Sequence, residues 1–212
     1  MCDAGRGVPR DFKEAVRWYR LAADQGDAGG QFLLGGMYGD GRGVPQDLKE
    51  AVRWYGLAAD QGYAFAQYSL GMVYSLGRGV PQDFKEAVRW YRLAADQGDV
   101  GAQYILGEMY DPFFSAVSSG VQRDAKEAAR WYRLAADQGD ATAQFMLGMK
   151  YSDGLGVPQD YILAHMWFNL AGASGQKPAA ITNRDNIALK MTPDQIAEAH
   201  RLAREWKPKA SR

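Results

Sequence analysis

One sixteen-residue phrase, Asp83-Phe-Lys-Glu-Ala-Val-Arg-Trp-Tyr-Arg-Leu-Ala-Ala-Asp-Gln-Gly98, is written into the chain five times with variations. The copies lie at Asp11–Gly26, Asp47–Gly62, Asp83–Gly98 and Asp124–Gly139, with a degraded one at Asp160–Gly175. Trp18, Trp54 and Trp90 are 36 residues apart; Trp131 follows after 41 and Trp167 after 36 again. A fixed period of this size restricts the chain to stacked structural units, each packed on its neighbours.

The phrase reads as a helix. Asp83 supplies an N-cap, and Glu86 three places on favours the positive end of the helix. Asp11/Glu14, Asp47/Glu50 and Asp124/Glu127 repeat the device. Gly98 stands where a left-handed residue ends a helix. Ala87, Trp90, Tyr91 and Ala94 fall on one face at helical spacing, which makes the recurring tryptophans core positions. Lys85, Arg89, Arg92 and Asp96 fall on the opposite face. A second helix follows, Val100–Tyr110, with its stripe at Ala102, Leu106, Gly107 and Tyr110. Gly107 costs about 1 kcal/mol in a helix interior, and its recurrence at Gly35, Gly71 and Gly148 points to close approach by the next helix. No stretch alternates with period two. The expected fold is all-α: an α/α superhelical solenoid of about five helix-pair repeats with a C-terminal capping helix. Its units fall near 11–46, 47–82, 83–123, 124–159 and 160–191, with the cap near 193–206, all in a single repeat domain over residues 1–212.

Lys plus Arg and Asp plus Glu number 25 each, so no global field favours nucleic acid. No apolar run approaches a membrane span, and no apolar signal segment opens the chain. The one cysteine, Cys2, has no internal disulfide partner. Residues 1–7 align with 37–43, the end of a second helix, so the chain reads as the truncated part of a longer array. A periplasmic or secreted parent fits that reading. The uncapped first repeat is then a candidate for self-association.

The three blocks A-x-x-W-[YF]-x-x-A-A-x-x-G, A-x-x-x-L-G-x-x-Y and G-x-G-V-x-x-D resemble the Sel-one-like repeat, a relative of the tetratricopeptide repeat. In the first unit Ala15–Gly26 and Gly30–Tyr38 carry the match. The tail pieces Asn183-Arg-Asp185, Lys190-Met-Thr-Pro193 and Arg204-Glu-Trp206 resemble bacterial members. The resemblance implies a non-catalytic scaffold for protein–protein interaction. A cysteine-rich branch of the family is associated with β-lactam binding or hydrolysis; this chain lacks the cysteines of that branch.

Residues left over by the repeat are the candidates for function. Gly5–Asp27 and Gly77–Asp99 differ at one position in 23, as recent duplication or a periodic ligand would produce. The outer stripe of the first helices forms a ladder: Lys13, Lys49, Lys85, Lys126; Arg17, Arg53, Arg89, Arg130; and Arg20, Arg92, Arg133. It reads either as a solvated face or as a concave groove for carboxylates of a protein or peptide. Gly56 interrupts it, and Ile162, Met166 and Asn169 replace it in the fifth copy. A five-residue insertion, within 111–120, places Phe113 and Phe114 in a loop, for contact with a partner or for folding back over the helices. Ile196, Ala199, Leu202, Ala203 and Trp206 share a face of the last helix. His165 and His200 have no partner at ligand spacing, so no catalytic residue, metal or cofactor is expected.

Overall fold

The computed structural model describes residues 11–113, 120–173, 175 and 177–209. Among these there are eleven α-helices and no strand. They fall into two compact units, residues 1–99 and 100–212. The first holds α1 (Phe12–Asp24), α2 (Ala28–Asp40), α3 (Leu48–Asp60), α4 (Ala64–Leu76) and α5 (Phe84–Asp96). The second holds α6 (Val100–Tyr110), α7 (Ala125–Asp137), α8 (Ala141–Asp153), α9 (Tyr161–Ala173), α10 (Pro178–Ala188) and α11 (Pro193–Glu205).

Each phrase folds as its caps dictate. Asp11 accepts from the Glu14 backbone N–H; Asp47, Asp83 and Asp124 each accept from two such groups, as Asp83 does from Lys85 and Glu86. Gly98 takes the left-handed conformation just past α5, with φ of 93°. In α11, Thr192 and Gln195 form the full reciprocal capping box. On α5, Ala87, Trp90, Tyr91 and Ala94 are all buried.

Close approach at the recurring helix glycine has a specific cause. A Cβ on Gly71 would stand 2.5 Å from the ring of Tyr91, in the next helix. Gly35 meets Tyr55, Gly107 meets Tyr132 and Gly148 meets Phe168 in the same way. The four phrases after the first therefore each press an aromatic ring onto the bare backbone of the preceding helix.

Glutamines add a second lock that the sequence reading missed. Gln61 donates to Gln31 Oε1 at 2.8 Å, and Gln31 in turn donates to the Ala23 carbonyl at 3.3 Å. Gln97 and Gln67 repeat the link in the first unit, as Gln138 and Gln103 do in the second. The buried Gln31 and Gln67 amides give the Ala23 and Ala59 carbonyls, near the ends of the phrase helices, a second donor beside the Gly26 and Gly62 backbone N–H groups. The recurrence of Gln at both positions was the available signal.

One core expectation fails. Trp54, Trp90, Trp131 and Trp167 are at most 7% exposed, but Trp18 is 58% exposed. Trp54 packs with Leu34 and Met37 of the preceding helix pair, and Trp90 with Ala66 and Leu70. No described helix precedes α1, so Trp18 has no such partner.

In the second unit α11 packs against α9. Ala199 is buried, and Trp206 meets Trp167 edge-on at 6.2 Å between ring centroids. The tail continues to the end of α7, where Lys209 Nζ pairs with Asp137 at 2.7 Å. Met166, at the register of Arg89, is buried in the fifth copy.

His165 is buried where α5 carries Val88, with its ring 5.2 Å from that of His200 on α11. Its Nδ1 has no partner. Burial, then His200, then Arg184 push its pKa from 6.5 down to about 4, against the pull of Asp185. The unfolded chain therefore takes up this proton more readily than the fold. The stabilisation is complete above about pH 6.5 and is lost as pH falls towards 4. His165→Val is expected to flatten that part of the pH profile, read as the urea midpoint at pH 7 and pH 4.5. An unchanged profile would assign the acid sensitivity elsewhere.

Candidate functional site

The charged ladder lies where the helical spacing puts it. In the first unit Lys13, Arg17 and Arg20 on α1, Lys49 and Arg53 on α3, and Lys85, Arg89 and Arg92 on α5 are all exposed. In the second, Lys126 and Arg130 on α7 are exposed, and Arg133 is half-buried between Tyr151 and the Trp167 ring.

Arg53, Arg89 and Arg130 of the ladder are held on two sides. Arg53 bonds Glu50 one turn back at 3.2 Å and lies over the Trp54 ring, 4.3 Å from its centroid. Arg89 repeats this with Glu86 and Trp90, and Arg130 with Glu127 and Trp131. The acid whose sequence role is to favour the helix start also fixes the arginine, and the arginine shields the outer face of the core tryptophan. Arg20 donates to the Tyr38 hydroxyl. The guanidinium groups stay more than half exposed. At these three rungs acid and base alternate along the helix.

Between α1 and α3 this face opens into a recess of about 580 Å³ lined by Arg20, Asp24, Tyr38, Asp47, Glu50, Arg53 and Trp54. Three carboxylates and two guanidinium groups line it, so it presents charge of both signs. At Gly56, where the third rung is missing, an added Cβ would meet nothing within 4 Å.

The insertion between α6 and α7 is organised by residues the sequence reading passed over. Lys150 on α8 is 2% exposed and donates to Asp111 Oδ1 at 2.6 Å; Asp111 is fully buried. Asp111 also accepts from the Phe113 backbone N–H, and Arg123 donates to the Asp111 carbonyl. Phe113 is 68% exposed and lies over the Lys150 ammonium, 5.0 Å from its ring centroid. Phe114 lies outside the described residues. Burial, followed by the charges of Asp111 and Glu108, raises the pKa of the Tyr132 hydroxyl. Among the described residues no group of three or more His, Cys, Asp and Glu could hold a metal ion.

Comparison with known proteins matches this architecture to a family. The Sel1 repeat model fits residues 1–27, 28–63, 64–99, 100–140 and 141–176. The chain belongs to the Sel1 repeat family. A Sel1 repeat protein from Oxalobacter formigenes is 39% identical over 82% of this chain and 49% of its own, with a TM-score of 0.72. The protective antigen c5321, present in uropathogenic Escherichia coli strains and displaying an SLR fold, is 28% identical over 97% of this chain and 58% of its own, with a TM-score of 0.51. The chain thus spans about half the length of these solved relatives. No curated protein matches it significantly. Sel1 repeats are generally protein–protein interaction modules and are typically non-enzymatic. No helix among the described residues is long and apolar enough to cross a membrane.

Proposed function

We propose that this Sel1 repeat chain is an interaction scaffold whose charged phrase helices bind an extended segment of a protein partner. The observation that carries this reading is the repeated, pre-oriented Arg–Glu–Trp rung beside an exposed Lys, on α3 and again on α5. Holding a guanidinium by a neighbouring carboxylate and a ring removes much of the entropy that a free side chain loses on binding. Mixed charge selects by pattern: a partner must match acid to Lys and base to Glu, and like charges in register are rejected.

Lys49 and Lys85 are the sites to change, because no core contact rests on them. In a pull-down with the intact chain and with Lys49→Glu/Lys85→Glu, the bound protein is expected to be lost in the variant. Equal recovery, with circular dichroism unchanged, would overturn the assignment to this face.

A further inference from the structure

The second unit carries further departures from the repeat on α8 and just after it, away from the charged stripe. In the second unit Phe113, Phe145, Met146, Met149, Lys150 and Leu155 enclose an open recess of about 270 Å³. Leu155 holds the register at which the first unit has Arg42 and Arg78, and Met146 that of Ser69. Phe113 exists only through the insertion. A recess at the same register in the first unit, about 190 Å³, includes Met72 and Leu76 but also Asp40 and Arg78. The substitutions in the second unit thus remove the Arg78 charge and leave a mostly apolar lining, with Asp153 at the register of Leu76. Its floor is fixed, because Asp111 neutralises Lys150.

On the other side of Met149 lies a second recess of about 170 Å³ with a different chemistry. Ser152, Asn183, Asn186 and Lys190 line it with polar groups, and Lys190 is the only charged residue in its lining. The Lys190 ammonium lies over the Tyr161 ring, 5.5 Å from the centroid. Met149 walls both recesses.

We infer that the α8 edge of the second unit is a docking surface for a peptide segment of a protein partner. The segment carries a large apolar side chain directly beside a carboxylate residue. The apolar side chain fills the Phe113–Met146–Leu155 recess, whose volume suits one such group rather than a drug-sized ligand. The carboxylate meets Lys190 and the Asn186 amide, with Asn183, which also donates to Met149 Sδ at 3.3 Å, beside them. Asp153 lines the first recess, disfavouring an acid there. This face is separate from the phrase-helix face proposed above, so either can fail without the other.

The test uses the intact chain with its methionine methyl groups isotopically labelled, followed by NMR. The probes are the blocked dipeptides acetyl-Leu-Glu-amide and acetyl-Leu-Lys-amide at millimolar concentration. The Met146 and Met149 signals are expected to shift with the Glu peptide, and the Lys peptide is expected to bind about threefold more weakly, the size of one exposed charge pair. Lys190→Glu should invert that order, and Met72, at the mixed recess of the first unit, should not move. Equal binding of the two peptides, no shift at Met146 and Met149, or an order unaffected by Lys190→Glu would each overturn the proposal.

Discussion

Asp111→Ala is expected to cost the second unit about 3–5 kcal/mol, because it strands a buried ammonium. The Lys150–Asp111 bond is 2.6 Å, and the two side chains are 2% and 0% exposed. Other second helices hold Met37, Val73 and Met109 at the register of Lys150, and Gly39, Ser75 and Ser152 hold that of Asp111. The pair is thus a charged insertion into a junction that elsewhere is apolar. Restoring both positions with Asp111→Ser/Lys150→Met is expected to bring stability back to within about 1 kcal/mol of the natural chain, or above it, since desolvation offsets most of the attraction in a buried pair. Urea denaturation of the two variants measures the difference. A cost below about 1 kcal/mol for the single change would show that the ammonium reaches water. The pair's value to the protein then lies in placement, since Asp111 also receives the Phe113 backbone N–H and anchors Arg123 through its carbonyl.

The second large effect comes from one residue type in two settings. Trp131→Ala is expected to cost about 3–5 kcal/mol, the usual range for deleting a buried aromatic ring. Trp131 is 2% exposed and also donates to Glu127 at 3.0 Å. Trp18→Ala, at the same place in a nearly identical phrase, is expected to cost less than about 1 kcal/mol, because Trp18 is 58% exposed. Stability in a repeat array is approximately a sum of unit and neighbour terms, so the contrast isolates the neighbour term. Equal losses from the two changes would mean that Trp18 is covered as the others are.

The same contrast marks how far the sequence could be read. Whatever a single phrase decides was legible: the Asp caps, the Gly98 stop and the buried face of Ala87, Trp90, Tyr91 and Ala94; recurrence alone added the close approach at Gly71. Each rests on local spacing and on repetition. What depends on a neighbour was not. Trp18 has the same sequence context as Trp90 and a different environment. Asp111 and Lys150 are 39 residues apart, and each alone looks like a tolerated variation; the clue was that opposite charges had entered registers otherwise held by small or apolar residues. The stripe of Lys and Arg was legible as a position. Its electrostatics were half legible, since Glu50 and Arg53 already stand at pairing distance on one helix, whereas the stacking of Arg53 on Trp54 needs side-chain placement.

His165 makes the α9–α11 contact sensitive to pH, and Arg53, Arg89 and Arg130 are paired before any partner arrives. The central claim is that the phrase helices of this Sel1 repeat chain bind a protein through their exposed charge pattern. Its most direct test is calorimetric titration of the protein recovered with the intact chain against that chain and against Lys49→Glu/Lys85→Glu. Severalfold weaker binding is expected for the variant, with an affinity for the intact chain that falls with added salt. Identical affinities, with no salt dependence in either, would contradict it.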